Sequence, residues 1–289
     1  MSEKIYEVAL LIPSAKPGCV EILLNLLESL GIPRHQVAET WYDGRYRLTV
    51  YHKTLRESHK IQLAISRLDL SGIRLQRRSL KEEEWKTLWK KEFLPFSLTS
   101  RIDVVPLWHQ PRYRPKRGRL PVYIDTQMAF GTGLHPTTRF VAGFIARCHQ
   151  RVQTLLDIGT GTGLLVIVAA KYSIPQLAAI DIDPGAVGVA EENFRNNGIS
   201  SVALSTGDFA HWRGRRQYDL VAANLTTEDL IRLGARIVSL VKPGKYLAVS
   251  GVSGNNYLHF REAFQTYPLK CLKVEYSQGW TGVLFKKIK

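Results

Sequence analysis

The sequence predicts an α/β protein: a doubly wound parallel sheet finished by an antiparallel hairpin, with a smaller α+β unit in front of it. Three observations predict it. From Leu120 onward, short apolar runs at 154–158, 177–180, 202–205, 220–223 and 246–250 alternate with helical segments at 164–172, 184–196 and 227–240. Residues 269–276 and 281–286 are β-rich and flank Ser277-Gln278-Gly279-Trp280, so they read as a terminal antiparallel hairpin. Residues 1–80 read as a single βαββαβ unit.

In that first unit, residues 4–13 alternate and are β-rich, and Val20, Leu23, Leu24, Leu27 and Leu30 follow at helical spacing. Gly31 and Pro33 stop the helix. Two aromatic and β-branched runs, 37–42 and 46–52, are joined by Asp43-Gly44-Arg45, a hairpin signal. Ile61, Ala64, Ile65 and Leu68 restore the helical period within 57–70, and 73–75 is a candidate closing strand. The pattern fits a ferredoxin-like sandwich. It holds no catalytic constellation, so recognition or scaffolding is its expected task.

Residues 81–119 read as a connector. Glu82, Glu83 and Glu84 precede Trp85, Leu88 and Trp89, a short amphipathic helix with acids in its first turn. Pro95 ends it, and 102–107 reads as one strand. Arg112, Tyr113, Arg114, Lys116, Arg117 and Arg119 then follow between and after two prolines. This segment is either an RNA contact, through phosphate pairing and ring stacking, or a solvated basic loop. The expected organisation is therefore 1–80, 81–119 and 120–289.

Composition narrows the function classes. The chain has 289 residues, 45% hydrophobic and 22% charged, which excludes disorder over most of its length. The apolar run 164–170 is far shorter than the ~20 residues of a membrane span, and the N-terminus carries no signal-peptide core. Cys19, Cys148 and Cys271 lie far apart, which fits neither a disulfide framework nor a cysteine zinc site. A cytoplasmic protein with no bound metal is expected, and a monomer. The net charge of +15 implies a polyanionic neighbour, most simply nucleic acid or a ribonucleoprotein.

Four elements carry chemistry. Asp157-Ile158-Gly159-Thr160-Gly161-Thr162-Gly163 is a strand running into a glycine turn and then an apolar helix. The dinucleotide fingerprint fails, because Leu164 stands where its third glycine belongs, and no P-loop lysine follows. The spacing suits a nucleoside with an amino acid tail and no phosphates. Asp181 ends the next strand, where a carboxylate can accept both ribose hydroxyl protons. Asp183 before Pro184 reads instead as a helix N-cap. Asp208 is either a contact to an adenine amino group or a turn-former after Gly207. Asn224 ends the strand 220–223 and can orient an amine or the ligand's tail, or cap the helix from Thr227. The fourth element, Phe130-Gly131-Thr132-Gly133-Leu134-His135-Pro136-Thr137-Thr138, is a flexed loop entering a helix. Phe130 can flank a methyl donor and Thr138 can bond a carboxylate end, while His135 reads as structural.

These elements, in this order and spacing, resemble the PrmA family, bacterial S-adenosylmethionine-dependent methyltransferases of a large-subunit ribosomal protein. Phe130-Gly131-Thr132-Gly133 with His135-Pro136-Thr137-Thr138 is the most specific part. The resemblance spans nearly the whole chain. It implies a front substrate-recognition domain, a tryptophan-bearing connector and a class I methyltransferase domain of Rossmann-like fold. By it, cofactor contacts fall on Thr138, Gly159, Asp181 and Asn224. Gly161, Phe130 and Asp208 are further cofactor-binding candidates, and Asn224 is the candidate catalytic residue. It also implies methylation of lysine side chains or an N-terminus. The chain departs from the family at Asp125-Thr126-Gln127, where Asp-Pro-Gly is usual, and at Leu225-Thr226, where Ile-Leu is frequent. Two other readings stand beside it: an RNA methyltransferase, and a non-catalytic ribosome-binding protein. Against the first, Leu225-Thr226-Thr227 replaces the Asn/Asp-Pro-Pro-aromatic expected for base amino groups.

Overall fold

The computed structural model describes residues 4–13, 18–32, 37–42, 45–52, 54–68, 72–81, 93–125 and 131–288. The chain divides into two compact units, 1–94 and 95–289.

The first unit contains β1 (Lys4–Pro13), α1 (Gly18–Ser29), β2 (Val37–Tyr42), β3 (Arg45–His52), α2 (Leu55–Ser66) and β4 (Arg74–Lys81). The sheet order is β2-β3-β1-β4, antiparallel throughout, as the βαββαβ reading requires. Alternation along β1 turns Val8, Leu10 and Ile12 toward Leu23, Leu24 and Leu27 of α1 and Ile61 and Ile65 of α2. Thr54 caps α2 by accepting from the Glu57 N–H. On the strand's other face Glu7, only 2% exposed, accepts from Arg47 and Arg78, each at 2.8 Å. The closing strand is longer than the expected 73–75. It runs beside β1 to Lys81, and its polar second half is a basic, charge-guarded sheet edge with no apolar alternation to read. The expected turn at Asp43-Gly44 and the helix at Glu82–Trp89 lie outside the described residues.

The second unit starts with β5 (Phe96–Ser97), β6 (Ile102–Pro106) and β7 (Leu120–Ile124), a small sheet of their own with β6 and β7 parallel. Part of the expected connector thus belongs to this unit. Asp103, 4% exposed, is the reason. It accepts from Arg119 Nε (2.7 Å), Tyr113 Oη (2.7 Å) and Ser97 Oγ (2.9 Å). Arg119 also donates to the carbonyls of Thr99, Ser100 and Ile102. Burial by itself would raise the Asp103 carboxyl, but these donors outweigh it and hold it below the usual carboxylate range. Arg119 and Tyr113 are therefore internal fastenings and not open RNA contacts, a correction to the reading of the whole 112–119 run.

The main sheet comprises β8 (Thr154–Ile158), β9 (Gln176–Asp181), β10 (Val202–Thr206), β11 (Tyr218–Asn224), β12 (Val241–Ser253), β13 (Leu269–Ser277) and β14 (Trp280–Lys287). Its order is β10-β9-β8-β11-β12-β14-β13. The first five strands are parallel; β14 runs antiparallel to β12 and pairs with β13 through the predicted hairpin. Gln278 (φ 55°) and Gly279 (φ 81°) make its tight turn. The helices are α3 (Pro136–Cys148), α4 (Leu164–Lys171), α5 (Pro184–Asn196), α6 (Thr227–Ser239) and α7 (Tyr257–Phe264). Leu156, Val221, Leu247 and Val249 of the sheet pack with Leu230 and Ile237 of α6 and Phe260 and Phe264 of α7 in one core. Strand order reverses between β8 and β11, and that switch point is where open α/β sheets bind ligands. Among the described residues no helix is long and apolar enough to cross a membrane.

Candidate active site

The parallel register sets Ile158 beside both Ile180 and Ala223, so Gly159, Asp181 and Asn224 emerge side by side at the carboxyl end of the sheet. Gly159 has φ +72°, and a Cβ there would stand 2.6 Å from Leu225 Cδ2. Gly163 (φ +78°) starts α4 and meets the Phe194 ring just as closely. The turn closes by Gly163 N–H donating to Thr160 O at 2.9 Å.

Asp181 faces this turn. Its Oδ2 accepts from Gly161 N–H at 2.8 Å and its Oδ1 from Asp183 N–H at 3.1 Å. A carboxylate has about four lone-pair sites, so two remain for a vicinal diol. Asp183 is the N-cap of α5, accepting from Gly185 N–H at 2.8 Å with Pro184 behind it. Asp183 thus takes the capping role expected of it.

Asn224 Nδ2 donates to Thr138 Oγ1 at 3.3 Å, joining residues 86 apart in sequence. The cap of α6 is Thr226, which accepts from Asp229 N–H, so Asn224 is not the capping residue. Thr138 is 1% exposed in the first turn of α3. The loop before it is tied to the glycine turn by Thr162 Oγ1 donating to Gly131 O at 2.8 Å. His135 caps α3: its Nδ1 accepts from Thr137 N–H, and its ring meets Trp280 edge-on at 5.0 Å. Burial pushes the imidazole down to about 4, so it is neutral near pH 7 and a weak base. Phe130 lies outside the described residues. Asp208 takes the turn-forming role. It accepts from Ala210 N–H (2.8 Å) and pairs with His211 (3.0 Å), and these hold its carboxyl low.

Asp157 was not singled out from sequence, although a carboxylate inside an apolar strand run is itself a signal. It is fully buried, its Oδ2 accepts from Thr160 Oγ1 at 2.8 Å, and its Oδ1 has no hydrogen-bond partner. Burial, helped by the Asp181 charge, pushes its carboxyl up to about 7. The Gly161 amide of the turn is already held by Asp181, and a second acid lies beneath it. That environment disfavours phosphate and suits a cationic ligand with a ribose. S-adenosylmethionine, with its sulfonium and ammonium, fits these residues.

A family model described as ribosomal protein L11 methyltransferase (PrmA) matches residues 16–288. The chain belongs to the PrmA family. A ribosomal protein L11 methyltransferase of Geotalea uraniireducens is 35% identical over 221 residues, covering 72% of this chain and 69% of that protein. One from Bacillus subtilis is 30% identical over 226 residues, covering 78% and 72%. A crystal structure of ribosomal protein L11 methylase from Lactobacillus delbrueckii subsp. bulgaricus aligns with a TM-score of 0.63 at 27% identity. It covers 68% of this chain and 100% of that one. As a PrmA member the chain is an S-adenosylmethionine-dependent class I protein methyltransferase.

Proposed function

We propose that this PrmA enzyme transfers methyl groups from S-adenosylmethionine to amino groups of ribosomal protein L11, lysine side chains, the N-terminus or both. We place it in the cytoplasm as a monomer. When bound, the cofactor supplies a methyl already activated on a sulfonium. The protein's part is to bind, orient and exclude water. Asp181 would take the ribose diol, and the glycine turn at Gly159 and Gly161 would let the ligand lie against backbone. Thr138 and the buried Asp157 suit the amino acid end. Asn224, its amide fastened to Thr138, keeps its Oδ1 to accept from an incoming amine and aim the nitrogen lone pair. Orientation of this kind can lower the barrier by roughly 7–11 kcal/mol.

The acceptor must be unprotonated, and a free lysine titrates near ~10.4. His135 is engaged as a cap and is a poor base, so the amine loses its proton to water before the site closes, and desolvation there favours the neutral form. Contact with ribosomal RNA would fall to the exposed members of the basic loop, Arg112, Arg114, Lys116 and Arg117.

The observation that carries the reading is Asp181 bonded across the glycine turn at the switch point, beside the Asn224–Thr138 pair. Asp181→Ala is expected to weaken cofactor binding in calorimetry by roughly tenfold to a hundredfold, as the loss of charged hydrogen bonds of about 1.5–3 kcal/mol predicts. Wild-type affinity would overturn it. Isotope transfer to reconstituted large subunits, followed by protease or RNase, should leave the label in peptide. Label in nucleotide would point to the RNA methyltransferase.

A further inference from the structure

The opposite end of the main sheet is built differently from the cofactor end. Register aligns Gln176 with Thr154, Leu155 with Leu220, Leu220 with Tyr246, Tyr246 with Lys286 and Lys286 with Lys270. The segments around this row are 147–153, 171–176, 213–219, 241–246, 268–271 and 285–288. They contain eleven Lys and Arg and one carboxylate, Asp219. Asp219 is buried and works inward: it accepts from Gln153 N–H and Lys242 Nζ (3.0 Å), with Lys245 Nζ at 3.7 Å. Lys287 is likewise internal, donating to the carbonyls of Val238 and Val241.

Arg147, Arg151, Arg213, Arg215, Lys270 and Lys286 are exposed, and among the described residues no ion pair joins them to a carboxylate. Complementing helix C-termini accounts for Arg147 in α3 and Arg151 at the end of the 3-10 turn His149–Arg151, but the other four lie in no helix. Crowding like charges on one rim opposes the folded state, which a polyanionic ligand would relieve. Beside this rim, His211, Trp212, Arg213, Gly214, Arg215 and Arg236 line a cavity of about 440 Å³. The Arg236 guanidinium lies 5.3 Å from the Phe209 ring centroid, Phe209 stacks on Trp212, and Arg236 Nε is buried without a hydrogen-bond partner. Guanidinium forks suit phosphate oxygens, and an aromatic face suits an unpaired base.

We propose that this rim is a docking surface for the phosphate backbone of RNA, with the Trp212–Arg236 cavity taking one nucleotide. Six strands at a spacing of ~4.8 Å spread the charge over roughly 24 Å, long enough to meet several phosphates. Arginine predominance and the adjoining tryptophan favour RNA over an acidic protein or a lipid surface. Here RNA is a ligand and not the methyl acceptor, and the residues differ from those of the 112–117 loop.

The test uses the full chain and a labelled RNA hairpin, with binding followed by anisotropy across a salt series. The variant combining Arg151→Gln, Arg213→Gln, Arg215→Gln and Lys286→Gln should bind about tenfold more weakly or worse. Its log–log salt slope should shrink by about 3, at roughly 0.7–0.9 per lost phosphate contact. Cofactor affinity within about twofold of wild type shows that the variant is folded, since it removes no residue of that site. Arg112→Gln with Arg114→Gln should weaken RNA binding far less than the fourfold variant does. Unchanged RNA affinity and slope in the fourfold variant would overturn the proposal. So would loss confined to the Arg112/Arg114 variant, or competition by polyglutamate or anionic lipid vesicles as strong as that by unlabelled RNA.

Discussion

Asp157 and Asp181 sit on adjacent strands at the glycine turn, and their environments separate them. Asp157 keeps its proton to about pH 7 in the folded chain but loses it near ~3.9 when unfolded. Its folded pKa is raised, so its stabilising contribution is full below about pH 4 and disappears as pH rises through about 7. Asp157→Asn should therefore abolish that decline, and chemical denaturation at pH 5 and pH 8 would reveal it. A cationic ligand favours the ionised form. Wild-type cofactor affinity is expected to rise with pH through about 7 and to stay flat in Asp157→Asn, which calorimetry across that range would check. Asn224→Ala should lower kcat roughly tenfold to a hundredfold under saturating cofactor, through lost orientation of the amine. A wild-type rate would remove Asn224 from the site.

Elements differ in how openly their sequences announced them. The five parallel strands and their helices were legible because each apolar run ends in a turn residue: Gly159, Asp181 before Asp183-Pro184, Asn224. The polar tail of β4 and the eight-residue α7 were not, since neither carries enough period for its length. Pairings across distance were hidden altogether. Nothing local says that Asn224 bonds Thr138, or that Arg119 closes on Asp103 and not on solvent. The Arg119 clasp also makes a prediction at this scale. Removing one partner of a buried pair costs about 3–5 kcal/mol, so Arg119→Ala should strip the β6–β7 amides of hydrogen-exchange protection before those of β8 or β11.

For the whole molecule, two units with separate cores should melt as two calorimetric transitions. Cofactor at a hundred times its Kd would raise only the transition of the second unit, by about 2.7 kcal/mol. Glu7→Gln, which leaves Arg47 and Arg78 without their buried charge, would lower only the other, by on the order of 3 kcal/mol. A single transition moved by both changes would contradict this.

The last strand reaches further than its distance from the motifs suggests. Trp280 is the ring on which His135 rests, and Gly282 lies so close under α3 that a Cβ there would be 2.6 Å from Phe140 Cβ. The helix bearing Thr138 is thus seated on residues made after every motif has left the ribosome. A nascent chain released before residue 280 would hold all the recognisable signatures and still lack the floor that lets them work together.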